Sequence, residues 1–145
     1  MIQVVVDVNV LVSALIGPLG YSRRTLQAWG QGRLDLITAE GIITELDIKL
    51  QLPRITKRLP DPTTNRQWII QLLRTQAQMI LVPPHECLPI TGDPEDDYVL
   101  ATTRLSNAEY LVTGDQGLLE LGEYAKAKIV SPRQLIMILE PQPAA

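Results

Sequence analysis

The sequence is poor in the residues that most often build disulfides and metal sites. Its 145 residues include one cysteine, Cys87, one histidine, His85, and no phenylalanine. One cysteine excludes an internal disulfide and a Cys-rich zinc or iron–sulfur site, and one histidine excludes a two-histidine acid–base pair within the chain. A chain of this length buries enough apolar surface to fold without such cross-links. If the protein is an enzyme, we expect carboxylates to perform its chemistry, in the reducing environment of the cytoplasm.

Long apolar runs are also missing. The most apolar stretch, residues 1–16, is interrupted by Asp7 and Asn9 and is not preceded by Lys or Arg. It is shorter than the roughly 20 residues that span a bilayer. We therefore expect a soluble, unprocessed protein with no membrane partner. We also expect a single domain over residues 1–140, with residues 141–145 as a disordered C-terminal tail.

The apolar pattern predicts strands that alternate with helices. Short β-branched or apolar runs predict strands at 2–6, 34–37, 79–82, 109–112 and 128–130. Helical spacing predicts helices from about residue 10 to 17, from a cap at Ser22 to 30, over 40–51, 64–78 and 115–121, and after Asp93 and Ser131. This alternation predicts right-handed crossovers and an α/β sandwich with a mostly parallel central sheet.

Four acidic residues occupy positions at which such a sheet places its ligands. Ligands bind beyond the carboxyl ends of parallel strands. Asp7 and Asp115 follow the first and fourth predicted strands. Asp96 lies in the first turn of a predicted helix, and Glu45 lies in mid-helix, where a carboxylate has no capping role. We expect the ends of these elements to meet at one edge of the sheet.

Three of these carboxylates also have a purely structural explanation. Asp96 fits the first turn of a helix, and Asp115 fits the N-cap of a short helix. Glu45 fits a solvated helix surface. Asp7 differs, because it is bracketed by apolar residues and its burial would be unfavourable without a partner or a cation.

Carboxylates that converge in one pocket raise one another's pKa values unless a cation neutralises them. Mg²⁺ and Mn²⁺ prefer oxygen ligands, and a bound ion lowers the pKa of its water. The pattern therefore suggests metal-assisted hydrolysis of a phosphodiester. A haloacid-dehalogenase-type phosphatase would need a second aspartate two residues after Asp7, where this chain has Asn9.

Several segments resemble those of a known family. They are residues 5–14, 92–101, 110–115 and 131–135, so the resemblance covers nearly the whole chain. The chain resembles the PIN-domain ribonucleases, and more closely the VapC-like toxins of bacterial toxin–antitoxin pairs. The resemblance implies a three-layer α/β/α sandwich whose central, mostly parallel sheet has about five strands. It also places the first strand beside the strand that precedes the last catalytic aspartate.

The resemblance implies a Mg²⁺- or Mn²⁺-dependent endoribonuclease that cleaves single-stranded RNA. The family's catalytic positions correspond to Asp7, Glu45, Asp96 and Asp115. The metal ligands among them are Asp7, Asp96 and Asp115. Supporting positions correspond to Asn9, Thr113, Asp93 and Asp97. Asp97 also remains open as a ligand in place of its neighbour Asp96.

The resemblance implies partners as well as an activity. A toxin of a type II pair has a cognate antitoxin, and PIN domains of this type commonly form homodimers. The alternative interpretation is a catalytically inactive module of the same fold that binds RNA or protein.

The formal net charge of −3 conceals an uneven distribution. Residues 49–74 contain six basic residues and one acid, whereas residues 86–123 contain nine acids and one base. Basic side chains bind the phosphate backbone of nucleic acids. The candidates for RNA binding are Lys49, Arg54, Lys57 and Arg58.

Overall fold

A mostly parallel sheet of six strands forms the centre of the fold. The computed structural model describes residues 1–140, and the predicted tail at 141–145 lies outside the described residues. The strands are β1 (Ile2–Val6), β2 (Leu34–Thr38), β3 (Gln78–Met79), β4 (Tyr110–Val112), β5 (Glu123–Tyr124) and β6 (Ala127–Val130). Their order is β3-β2-β1-β4-β6-β5, and only β5 runs antiparallel to its neighbour. The predicted α/β class is confirmed, with six strands instead of about five.

Eight α-helices accompany the sheet within residues 1–140. They are α1 (Val8–Ile16), α2 (Tyr21–Gly30), α3 (Glu40–Lys49), α4 (Pro53–Thr56), α5 (Pro62–Gln76), α6 (Pro94–Ser106), α7 (Gln116–Leu121) and α8 (Pro132–Leu139), and a 3₁₀ turn covers Pro84–Glu86. None of these described helices has the length and apolar character needed to cross a membrane.

The central strand β1 is covered on both of its faces. Side chains of consecutive residues in a strand point to opposite faces of the sheet. Val4, Val5 and Val6 are nevertheless all at most 1% exposed. Helices therefore pack on both sides of the sheet, which gives the three-layer arrangement and explains why Val4–Val6 is a continuous apolar run instead of an alternating one.

The order of the strands reverses at β1. The chain passes from β1 to β2 on one side, whereas β4 pairs with β1 on the other side, with Val6 opposite Val112. The predicted neighbourhood of the first strand and the strand before Asp115 is therefore confirmed. A crevice at such a reversal, beyond the carboxyl ends of the strands, is the usual ligand site of an open α/β sheet.

Three short elements differ from the sequence prediction. Strand β3 covers Gln78–Met79 instead of 79–82, because its neighbour β2 ends at Thr38, whose carbonyl oxygen accepts a last bond from the Ile80 N–H at 2.9 Å. Strand β5 was not predicted, because its two residues are too few to show a pattern. The four-residue helix α4, which starts at Pro53, was missed for the same reason.

Helix α2 also starts earlier than predicted. Gly20 occupies its N-cap and Ser22 lies inside the first turn, where the predicted cap does not form. Because Tyr21 is the first helical residue, Ser22 lies two residues after the N-cap, and its side chain does not cap the helix.

Helices α3 and α6 approach each other closely at Gly41. The Gly41 N–H donates a hydrogen bond to the Tyr98 hydroxyl oxygen at 2.9 Å, and a Cβ at Gly41 would overlap the Tyr98 ring. The glycine therefore sets the separation between the helix that carries Glu45 and the helix that carries Asp96.

Substituting Gly41→Ala should destabilise the protein because the added methyl group overlaps an aromatic ring. We expect the free energy of unfolding to fall by about 1–3 kcal/mol in urea denaturation. Gly30→Ala is the matched control, because this helical glycine has open space around its Cβ position. The control should be neutral or stabilising by up to about 1 kcal/mol. Equal effects of the two substitutions would contradict the close approach.

Candidate functional site

Asp7 is the most deeply buried of the candidate carboxylates, with 5% of its surface exposed. It follows β1 and occupies the N-cap position of α1. Its backbone N–H donates to the Val112 carbonyl oxygen at 2.9 Å, which extends the pairing of β1 with β4 by one residue. Burial raises the pKa of Asp7, and a hydrogen bond from Thr113 and the charge of Lys49 act against that rise.

The buried Thr113 hydroxyl joins the ends of β1 and β4. It donates to Asp7 Oδ2 at 2.7 Å, and its oxygen accepts from the backbone N–H of Asp115 at 3.0 Å. Thr113 itself is fully buried. The hydroxyl thereby orients the Asp7 carboxylate and fixes the backbone that carries Asp115.

Asp115 has a capping role in addition to its place in the candidate site. It is the N-cap of α7, and its Oδ2 accepts from the Leu118 N–H at 2.9 Å. The same side chain lines the cavity that contains Asp7. The structural and the functional explanation of this residue are therefore compatible.

The first turn of α6 separates its acidic residues by role. Asp93 is the N-cap and accepts from the Glu95 N–H at 2.9 Å. Asp97 Oδ1 accepts from the Thr91 N–H and hydroxyl, both at 2.8 Å, and from the Ile90 N–H at 3.2 Å. These bonds, the one from the Thr91 backbone first, lower the pKa of Asp97. Asp97 therefore holds the preceding loop and does not line the cavity.

Asp96 lines the cavity and is not paired with a cation. Burial, and then the negative charges of Asp115, Asp93 and Asp7, raise the pKa of Asp96 to about 6. Such a rise is expected where like charges share a poorly solvated site. The raised pKa shows that the negative charge of Asp96 is unfavourable in this cavity and that a nearby cation would stabilise it.

Glu45 reaches the cavity from the middle of α3 and lies beside Lys49. The Lys49 ammonium is 3.6 Å from Glu45 Oε1, 3.5 Å from Glu95 Oε2 and 3.3 Å from Asn9 Oδ1. Burial, and then the charge of Glu95, raise the pKa of Glu45, while Lys49 lowers it.

One cavity of about 320 Å³ brings these groups together. All four candidate catalytic carboxylates line it. Its charged and polar lining residues are Asp7, Asn9, Glu45, Lys49, Asp93, Glu95, Asp96, Tyr98 and Asp115. Thr113 bonds to Asp7 but does not itself line the cavity, and His85 and Cys87 are outside it. A larger cavity, of about 810 Å³, lies between α2 and α5 beside Trp29 and Trp68. Its lining includes no carboxylate among the described residues.

The donor set is suited to a hard divalent cation, because it consists of carboxylate oxygens that destabilise one another. As the side chains stand, no group of three Asp, Glu, His or Cys residues within 1–140 is arranged to hold a metal ion. Two of the carboxylates are held in local bonds, Asp7 by Thr113 and Asp115 by Leu118. Asp96 has neither bond, so its side chain is the one of the three that is free to turn towards a bound ion.

Sequence reasoning missed half of the cavity wall, and the missed residues include Gly41, Glu95 and Tyr98. Glu95 follows Asp93 in the first turn of α6 and was overlooked among other acids. Lys49 was predicted as an RNA-binding residue, and its spacing of four from Glu45 signals a helical ion pair. Its contact with Glu95 joins two distant parts of the chain and has no local signal.

Comparison with known proteins identifies the class to which this fold and cavity belong. The family model described as PIN domain matches residues 3–117. The match runs from β1 into α7 and includes all four candidate carboxylates. The chain belongs to the PIN-domain family. PIN domains are generally nucleases that use divalent metals, so membership supports a hydrolase in general.

Individual relatives agree with this assignment. The chain is 26% identical over 144 residues to the uncharacterized protein MJ1680 of Methanocaldococcus jannaschii, covering 93% of this chain and 90% of that protein. Its fold is similar to the crystal structure of PAE2754 from Pyrobaculum aerophilum, with a TM-score of 0.65 and 18% identity. The match covers 97% of this chain and 91% of that one.

A second solved structure has the same fold. It is described as VapBC2 from Rickettsia felis bound to a DNA fragment from their promoter. The TM-score is 0.59 at 12% identity, and the match covers 90% of this chain and 98% of that one. At this identity the likeness shows the fold.

The opposite pKa shifts of Asp96 and Asp97 predict opposite effects on stability. A raised carboxyl pKa means that ionisation destabilises the folded state, so the stability of the metal-free protein should fall as pH rises from about 4 to about 6. Asp96→Asn should remove its part of that fall and raise the free energy of unfolding at pH 7. Asp97→Asn is the matched control and should lower it, because a carboxylate with a lowered pKa stabilises the fold above its usual pKa. Urea denaturation at several pH values measures both, and destabilisation by Asp96→Asn at pH 7 would contradict the prediction.

Proposed function

We propose that the protein is a Mg²⁺- or Mn²⁺-dependent endoribonuclease that hydrolyses phosphodiester bonds of single-stranded RNA. The observation that carries the proposal is the single cavity, at the reversal of strand order between β1 and β4, that collects Asp7, Glu45, Asp96 and Asp115. Membership in a family of nucleases supports the reaction class.

In this proposal Asp7, Asp96 and Asp115 hold the metal ion. A bound divalent ion lowers the pKa of its water and offsets charge on the phosphate. The chain's own part is to line one cavity with three carboxylates that come from three elements. Thr113 keeps the Asp7 carboxylate oriented by its 2.7 Å hydrogen bond, and Glu45 faces the same cavity from α3.

A second, smaller cavity supports a path for the RNA strand. It has a volume of about 250 Å³, is lined by Arg54 and Arg58, and shares Asn9 and Lys49 with the acidic cavity. Neither arginine takes part in an ion pair within the described part of the chain, which leaves both guanidinium groups free for phosphate. Lys57 is exposed but does not line this cavity. We propose that the RNA backbone crosses the arginine side before it enters the acidic cavity.

We further propose that the protein is the toxin of a type II toxin–antitoxin pair and acts as a homodimer in the cytoplasm. The resemblance to VapC-like toxins and the fold shared with the VapBC2 structure support this assignment. Growth arrest on induction, relieved by co-expression of an adjacent reading frame, would support a toxin. Unimpaired growth would indicate a nuclease without that role.

The nuclease should cleave single-stranded RNA in Mg²⁺ or Mn²⁺ and lose activity in EDTA. Asp7→Asn should lower the cleavage rate on the order of 100-fold, because it removes a negatively charged ligand from the site. Asp47→Asn is the matched control, since this aspartate lies on α3 outside the acidic cavity and pairs with Arg66. Gel-based cleavage of a labelled RNA measures the rates of identically purified proteins. Equal rates for Asp7→Asn and the parent would refute the proposal in favour of an inactive module or a contaminant.

Removing the two free arginines should weaken RNA binding without changing the chemistry. In the Asp7→Asn background, the slope of log affinity against log salt should fall by about 1 for each of Arg54→Ala and Arg58→Ala. Arg66→Ala and Arg74→Ala serve as controls, because these guanidinium groups are already paired with Asp47 and Glu40. Fluorescence anisotropy of a labelled RNA measures the slopes. A larger change in the controls would place the strand on α5 instead.

A further inference from the structure

Lys49 occupies an unusual place for a lysine, because its ammonium lies within the acidic cavity. It is the last residue of α3, and its side chain is 21% exposed. Three oxygens from three elements surround Nζ: Asn9 from α1 at 3.3 Å, Glu45 from α3 at 3.6 Å and Glu95 from α6 at 3.5 Å. Two carboxylates and an amide oxygen form a set that a hard metal cation would also accept.

The cavity therefore has two differently charged sides. On the α3 side, the ammonium lies between Glu45 and Glu95. On the β1–β4 side, Asp96 faces Asp7 and Asp115, and no ion pair within residues 1–140 includes Asp96. The ammonium pairs with carboxylates of the α3 side, whereas on the β1–β4 side its charge acts at longer range, on Asp7.

Phosphoryl-transfer sites with two metal ions place two positive charges about 3.5–4 Å apart, one on each side of the reacting phosphate. A lysine ammonium is a compact point charge with three donors, so it can replace one of these ions electrostatically. It differs from an ion in being permanently attached. It cannot, however, lower the pKa of a coordinated water as a metal does.

We propose that Lys49 takes the place of a second metal ion, so that the protein binds one divalent ion, at Asp7, Asp96 and Asp115, and uses the ammonium beside Glu45 as the other positive charge. This inference rests on the proposed metal-dependent function and specifies its stoichiometry. Because Lys49 also lines the cavity of Arg54 and Arg58, it lies where the incoming RNA backbone would meet the reacting phosphate.

Direct binding of Mn²⁺ to the intact protein tests the inference without an activity assay. Isothermal titration calorimetry and the electron paramagnetic resonance signal of free Mn²⁺ both give the number of ions bound. We expect one ion for the parent protein and one for Lys49→Arg, which keeps the charge. Lys49→Met keeps the aliphatic stem but removes the charge, so it should bind two ions, with the second held by Glu45 and Glu95. Lys57→Met is the matched control for net charge, because this exposed lysine lies outside the cavity, and it should bind one.

Each outcome decides the question. Two ions on the parent protein would overturn the inference and leave the proposed nuclease function intact. One ion on both the parent and Lys49→Met would also overturn it, because the ammonium would then not be excluding a second ion. No ion on the parent would remove both the inference and the metal dependence of the proposed function. Lys49→Gln repeats the test in a side chain that retains a donor for Asn9, should Lys49→Met alter the circular dichroism spectrum.

Discussion

The candidate site depends on keeping one carboxylate buried at the end of the central strand. A buried carboxylate is strongly unfavourable unless it is hydrogen-bonded or paired. At Asp7 the Thr113 hydroxyl, the Val8 backbone N–H and the nearby Lys49 charge offset part of the effect of burial. The same hydroxyl accepts from the backbone of Asp115, so the group that stabilises one carboxylate also positions the next. The hydrogen bonds that stabilise the buried Asp7 therefore also fix the geometry of the crevice between β1 and β4.

Much of this arrangement could be predicted from the sequence, because it follows from the ends of elements. Asp7 and Asp115 follow strands, and parallel strands bring their carboxyl ends to one edge. The choice between Asp96 and Asp97 could not be made this way. Both fit the first turn of α6, yet consecutive helical residues point about 100° apart, so one faces the cavity and the other faces the loop at Thr91. The family resemblance favours Asp96, and the physical difference between the two residues lies in the path of that loop, which has no sequence signal.

The charge count along the chain located a basic segment correctly, but it did not show which of its basic side chains are free of ion pairs. The basic segment after residue 48 contains arginines of two kinds. Arg66 and Arg74 are paired with Asp47 and Glu40, whereas Arg54 and Arg58 line a cavity that shares Asn9 and Lys49 with the acidic one. Which basic residues remain free depends on how α3 packs against α5, a tertiary contact that composition does not reveal.

The two outer strands of the sheet are only two residues long. Strand β3 forms one edge, and β5, which contains Glu123, forms the other. Exposed sheet edges are templates on which a further strand can add, and short or charged edge strands prevent such addition. The outermost strands themselves therefore offer little backbone to an incoming strand. Side-chain contacts on the helices are then the surfaces left for assembly, and the short edge strands disfavour the edge-to-edge stacking that begins aggregation.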